Sequence, residues 1–212
     1  MSHIFDWLFA QYQSTPTHLI VLEMIGVVFT ILSVYYSKRE NILVYPTGLM
    51  ATGLYVYILI YYGLLGDMLI NAYYFTMSIL GWYFWTRKVD DTHFIPITKT
   101  TVKEKKWSVL LFLGALLFVF LIYYLTDRYN TWTAYVDTFT TAIFFVGMWL
   151  MAKKKIENWL YWIIGDIITV PLYWYKGLIF SSILFAVLTV IAIYGYKAWK
   201  KNLNKSPQIL LK

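Results

Sequence analysis

The sequence predicts an all-α membrane protein: seven transmembrane helices in a 3+1+3 arrangement, two parallel three-helix repeats joined by a linker helix. Three observations predict it. The chain has 212 residues, 60% hydrophobic and only 14% charged, more apolar surface than a water-soluble domain of that length can hide. Seven apolar stretches reach the roughly 17–25 residues that cross a bilayer. One stretch also resembles another 114 residues further on.

The elements follow in order. Residues 1–18, MSHIFDWLFAQYQSTPTH, lack the basic start and unbroken apolar run of a secretory signal, and Asp6 interrupts them. Ile4, Phe5, Trp7, Leu8 and Phe9 suit the membrane interface, as an outer N-terminal segment. The spans are Leu19–Tyr36, Leu43–Tyr62, Met68–Trp85, Trp107–Leu125, Thr133–Ala152, Trp159–Tyr175 and Ile179–Trp199. Only Lys176 and Gly177 punctuate the last two. Residues 19–85 form the first repeat, 86–106 a polar loop that alone resembles a linker, 107–125 the linker helix, 133–199 the second repeat, and 200–212 a tail. Tyrosines gather at span ends, at Tyr35 and Tyr36, Tyr61 and Tyr62, Tyr123 and Tyr124, where half-polar rings favour the headgroup level.

Orientation follows from Lys and Arg. Sixteen of them, among them Lys38, Arg39, Lys153, Lys154 and Lys155, fall on one side, and only Arg128 and Lys176 on the other. This predicts an outer N-terminus and a cytoplasmic tail, with the 86–106 loop cytoplasmic. The net charge of +7 therefore reads as membrane orientation, and no nucleic-acid partner is expected. There are no cysteines, and the three histidines, His3, His18 and His93, are scattered, which excludes a disulfide framework and a cysteine metal site. The chain has no phosphate loop, no histidine–carboxylate metal pattern and no GxSxG elbow. Enzymatic chemistry and a bound cofactor are not expected.

The repeat pairs Gly63 with Gly177, Ala72 with Ala186, Gly81 with Gly195, Trp85 with Trp199, and Glu23 with Asp137. The middle helices align less clearly: YSKREN before span two meets KKKIEN before span six at an offset of 117, which implies a small length difference in that loop. A shift of four spans keeps direction across the bilayer. Parallel repeats are a transporter plan with the solute bound between the halves; receptors and structural proteins use repeats too.

Span six carries Trp159, Trp162, Asp166, Thr169 and Tyr173 at helical spacing on one face. Span three carries Asp67, Asn71, Tyr74, Ser78, Trp82 and Trp85 in the same way. Such stripes belong against each other or against a water-filled cavity. Asn71 and Ser78 also read as interhelical hydrogen-bond glue, and Trp82, Trp85 and Trp159 also read as interfacial belt residues. Pro171 suits a kink in span six. Glu23 and Asp137 fit an outer vestibule or a packed polar cluster; Asp67 lies near the outer surface. Asp166 stands apart: a carboxylate at bilayer depth costs about 2.5–3.5 kcal/mol, and no lysine or arginine shares its depth. It is protonated, hydrogen-bonded, or waiting for a cation. Flanking aromatic faces favour a delocalised organic cation.

The strings ENWLYWIIGD, PLYWYKGL, IAIYGYKAWKK and, in the first half, MSILGWYFW together resemble the PnuC family of bacterial vitamin transporters, over about Leu19 to Lys201. The resemblance implies seven helices in a three-one-three order, a homotrimer, and facilitated uptake of nicotinamide riboside across the inner membrane. A cytoplasmic kinase would then trap the solute by phosphorylation. Relatives carry thiamine or riboflavin, so a thiamine carrier is the alternative within the family; a seven-helix receptor that binds without transporting is the alternative outside it. Carried over, Trp162 would stack on the cationic ring and Asp166 would face the cation or a sugar hydroxyl. Asn71, where family members often have glutamine, would bond the amide or ribose, and Phe185 stands where many have tyrosine. Trp159, Tyr74 and Tyr45, at the start of span two, complete the candidate set.

Overall fold

The structure, a computed structural model, describes residues 15–88, 95–127 and 131–203. The interfacial reading of Ile4, Phe5, Trp7, Leu8 and Phe9 lies outside the described residues, as do His3, His93, Arg128, Lys205 and Lys212. Seven helices run in order: α1 Thr17–Lys38, α2 Val44–Tyr61, α3 Leu65–Thr86, α4 Val102–Leu125, α5 Trp132–Ala152, α6 Asn158–Tyr175 and α7 Ile179–Leu203. Among the described residues there is no sheet; Thr98 and Lys155 form an isolated parallel bridge. Five helices are long and apolar enough to cross a membrane by length and composition alone. The other two are α3 and α6, the two that carry the polar stripes. Their polar and aromatic side chains lower the average hydropathy.

Helix ends are set by local chemistry. The punctuation at Gly177 suffices because its backbone is left-handed, φ 77°, and Gly63 matches it at φ 67°. Glycine enters that region without a Cβ penalty. The turn closes when the Leu64 N–H donates to Leu59 O at 2.8 Å and the Leu178 N–H donates to Tyr173 O at 2.9 Å. α4 begins five residues before the predicted Trp107. Thr101 and Glu104 form a capping box there: the Glu104 N–H donates to Thr101 Oγ1 at 3.3 Å and the Thr101 N–H donates to Glu104 Oε2 at 2.9 Å. This T-x-x-E signal satisfies two orphan donors and extends the helix past the bilayer run.

The loop before α4 is not a loose linker over its described part. Residues 95–100 dock on the α5–α6 turn. Ile97 is buried, the Thr98 N–H donates to Lys154 O at 3.2 Å, and the Ile156 N–H donates to Thr98 O at 3.0 Å. The Thr100 N–H and hydroxyl both donate to Glu157 Oε2, at 3.0 and 2.6 Å.

The offset of 114 recurs in every paired helix, at one end or both. α2 and α6 start and end 114 residues apart, and α1 and α5 end 114 apart. The 117 offset expected before α2 is therefore corrected: the two asparagines do different work. Asn41 Oδ1 accepts from the Leu43 N–H at 2.9 Å ahead of its helix, whereas Asn158 opens α6 and its Nδ2 donates to Lys155 O at 2.6 Å. The turns themselves match at Glu40 and Lys154, both left-handed at φ 54° and 56°. In contacts, α1 packs on α2 and α7, α5 packs on α6 and α3, and α4 lies chiefly on α5. The two halves thus meet at α1–α7 and α3–α5. The α3–α5 seam is fixed by Tyr73, whose ring stacks on Phe145 at 3.9 Å and whose hydroxyl donates to Phe145 O at 3.0 Å.

Candidate functional site

Between the halves lies a cavity of about 840 Å³, within the range of small-molecule sites. The α6 stripe lines it in full: Trp159, Trp162, Asp166, Thr169 and Tyr173. From α3, Asp67, Asn71, Tyr74 and Ser78 line it, but Trp82 and Trp85 do not. The period of 3.6 explains the split. Trp82 has turned about 60° from the direction of Asp67 and is 40% exposed on the outside. Trp85 returns to the inward direction but lies beneath the cavity, buried.

Asp166 is 3% exposed and lines the cavity. Among the described residues no side chain or backbone donor reaches its carboxylate. The nearby Thr169 hydroxyl is turned away, donating to Gly165 O at 2.8 Å. Asn71 uses its Nδ2 to bond Asp67 O on its own helix at 3.0 Å, which leaves its carbonyl oxygen for the cavity.

Aromatic rings make a continuous wall beside Asp166. Trp162 stacks on Phe144 at 5.5 Å, Phe144 on Phe185 at 6.0 Å, and Phe185 meets Tyr173 edge-on at 5.3 Å. Two glycines make room. A Cβ on Gly147 would touch Trp162 at 3.4 Å, and one on Gly165 would lie 2.2 Å from Phe144. Gly165→Ala should therefore push Phe144 off Trp162 and destabilise the protein by about 1–3 kcal/mol; a melting curve in detergent followed by tryptophan emission checks it. An unchanged melting point would mean that Phe144 has space to retreat. Phe144 was missed from the sequence. An apolar ring on an apolar span carries no polar signal, and only its packing reveals it.

The cavity has unlike ends. At one, Asp67, Asp137 and the exposed Asp127 and Lys176 line the opening. Lys176 forms an ion pair with Asp137, so Asp137 belongs to the cavity mouth, whereas its counterpart Glu23 is not among the lining residues. At the other end the lining is buried: Ser37, Val44, Met151, Trp159 and Ala192.

Beneath this floor is an aromatic plug whose contacts repeat at the 114 offset. Tyr45 meets Trp85 edge-on at 5.2 Å, and Trp159 meets Trp199 edge-on at 5.6 Å. Each sits over a glycine: a Cβ on Gly81 would be 2.3 Å from the Tyr45 ring, and one on Gly195 would be 2.5 Å from the Trp159 ring. The Trp85 N–H donates to Met151 O at 3.2 Å and the Trp199 N–H donates to Ser37 O at 3.0 Å. Each bond joins one half to the other. Glu40 and Lys154, the two equivalent left-handed residues, pair with each other at 3.3 Å. Trp159 therefore lines the cavity floor, while the structure does not bring Tyr45 to the cavity: its ring lies in the plug and its buried hydroxyl has no partner. The candidate site is corrected to exclude Tyr45: it is the repeat equivalent of Trp159, but its ring packs on Trp85 and over Gly81 and it is not among the residues that line the cavity.

Comparison with known proteins agrees with this architecture. A family model described as Nicotinamide mononucleotide transporter matches residues 20–201. The chain is similar to the nicotinamide riboside transporter PnuC of Escherichia coli (strain K12), 24% identical over 209 residues and covering 84% of each chain. It is also similar to the riboflavin/roseoflavin transporter RibM of Streptomyces davaonensis, 22% identical over 186 residues, 86% of this chain and 85% of that one. A crystal structure of the vitamin B3 transporter PnuC shares the fold, with a TM-score of 0.66 and 21% identity over 95% of this chain and 90% of that one. With a match over most of its length, this multi-pass membrane protein belongs to the nicotinamide mononucleotide transporter family, the PnuC family.

Proposed function

We propose that the protein carries nicotinamide riboside across the bacterial inner membrane by facilitated diffusion. The single observation behind this reading is the Asp166 carboxylate, buried, unpartnered among the described residues and flanked by the Trp162–Phe144–Phe185 ring wall. A flat organic cation supplies both the positive charge and the face that such a wall takes. Of the relatives' printed cargoes, nicotinamide riboside is a cation and riboflavin is neutral, so the charge at Asp166 favours the first. The phosphorylated mononucleotide suits the site poorly. Asp67, Asp127, Asp137 and Asp166 outnumber Lys176 along the cavity, and a phosphate would meet carboxylates.

The mouth at Asp137 faces outward in this reading, because the basic residues cluster at the plugged end. Cargo enters at the acidic mouth and leaves past the plug. A cytoplasmic kinase then traps it, since the phosphorylated product is repelled by the same carboxylates. The two halves work as parallel repeats around α4 in the manner of other repeat transporters, and the protein assembles as a homotrimer. Thiamine, also a cation beside an aromatic ring, is the alternative cargo.

The test is uptake by purified protein in liposomes. Labelled nicotinamide riboside should equilibrate across the membrane without ATP, and excess riboflavin should not compete. Binding without movement would make the protein a receptor, and preferential inhibition by thiamine would reassign the cargo.

A further inference from the structure

The two walls of the cavity are equivalent in position and opposite in chemistry. At the constant offset, Thr30, Gly48, Thr52 and Ser78 of the first half stand where the second half has Phe144, Trp162, Asp166 and Ala192, and all eight line the cavity. Size is exchanged as well. The second half fills its space with the Trp162 ring and clears Gly147 for it. The first half has Ser33 in the place of Gly147 and leaves Gly48 bare, where a Cβ would stand 3.2 Å from Ser33 Oγ and 3.4 Å from Ser78 Oγ. A recess rimmed by hydroxyls therefore faces the aromatic wall.

These hydroxyls have a definite polarity. Thr30 donates to Gly26 O at 2.9 Å, Ser33 to Val44 O at 2.8 Å, and Thr52 to Gly48 O at 2.8 Å. Each hydroxyl has one proton and two lone pairs, so with the proton engaged each offers the cavity an acceptor. Back-bonding to the preceding turn is common for helical threonines and accounts for Thr30 and Thr52 alone. It does not account for Ser33, which reaches across to α2, nor for Ser78, which is 2% exposed, lines the cavity and has no protein partner among the described residues. Three acceptors beside the free Ser78 hydroxyl, which can accept as well as donate, are complemented by a ligand rich in O–H groups.

We propose that the first-half face formed by Thr30, Ser33, Thr52 and Ser78 reads the sugar hydroxyls of the cargo, while the second half holds its cationic ring. The inference rests on the reading of the protein as a carrier of nicotinamide riboside and assigns the specificity for the glycosidic part to residues of the opposite repeat. Two probes separate the halves: nicotinamide riboside, and 1-methylnicotinamide, which keeps the ring and its charge but has a methyl group in place of the sugar. Binding to purified protein is measured for wild type, Thr52→Val, Ser78→Ala and, as a control that retains the hydroxyl, Thr52→Ser. Thr52→Val and Ser78→Ala should each weaken the riboside about fivefold, the equivalent of one hydrogen bond, and leave 1-methylnicotinamide within about twofold; Thr52→Ser should keep the riboside affinity. Equal losses for both probes, or no loss for the riboside in either variant, would overturn the assignment while the cargo reading stands. Wild-type protein that binds neither pyridinium would overturn both.

Discussion

Replacing Asp166 with asparagine should weaken nicotinamide riboside binding by about thirtyfold or more and, in the empty protein, raise the melting temperature. The two effects have one cause. Asp166 is buried at 3% exposure with no donor among the described residues to offset the loss of water. Such a group costs stability until a counter-charge arrives. A cation about 5 Å away at an effective dielectric constant near 20 returns roughly 3 kcal/mol, and two-thirds of that is about thirtyfold in affinity. Asparagine keeps the shape and removes the charge, so it relieves the empty state and forfeits the attraction. Nicotinamide, which has the same ring without the charge, should bind the variant within about twofold of the wild type. The measurements are calorimetric binding of both compounds and thermal melting without ligand. Equal losses for both compounds together with a lower melting point would mean that Asp166 holds the helices together instead of reading charge. The trade of stability for function is common at binding sites.

Much of this was legible in the sequence because lipid simplifies the code. Apolar runs must become helices, and six of the seven helices begin within three residues of the predicted spans. The exception, α4, was read from hydropathy alone, while its start is decided by the Thr101 and Glu104 cap. The α6 stripe was legible because a polar group on an apolar helix has one sensible direction. The α3 stripe was legible only to Ser78; beyond it Trp82 has drifted off the inward face, and Trp85 keeps the direction but lies past the end of the cavity, since spacing gives direction without depth. Tyr45 came from the resemblance and not from spacing, and it lies at the plugged end, outside the cavity lining. Phe144 and the hydroxyls of Thr30, Ser33 and Thr52 were missed because threonine and phenylalanine are ordinary in spans. Their role emerges from what stands at the equivalent position in the other half. The repeat was visible in its glycines and tryptophans, yet the matching asparagines before α2 and α6 pointed to the wrong register, since similar letters were satisfying different backbone groups.

Trp85→Phe and Trp199→Phe should each loosen the plugged end of the cavity, and by similar amounts. In both cases a ring remains and one N–H is lost. The acceptors are equivalent too: Ser37 O also accepts from the Glu40 N–H at 3.0 Å, and Met151 O from the Lys154 N–H at 2.9 Å. Each carbonyl therefore keeps one bond, and the loss is that of a single hydrogen bond between the halves plus the smaller ring's imperfect fit, about 1–2 kcal/mol. These bonds, with the Glu40–Lys154 pair, tie the two halves beneath the cargo site, so cargo that passes this end must part them. Losing one shifts the balance toward the parted state by about tenfold. The chain has no cysteine, so Ala192→Cys, on the cavity floor, gives a single reporter. A membrane-impermeant maleimide applied from the lysine-rich side should label it about ten times faster in either tryptophan variant. Labelling from the acidic mouth should not rise. If access increases only from the mouth, or in neither variant, the plug is a packed foundation and the passage runs elsewhere. If one variant responds and the other does not, the symmetry of the contacts is not a symmetry of energies, and opening begins in one repeat.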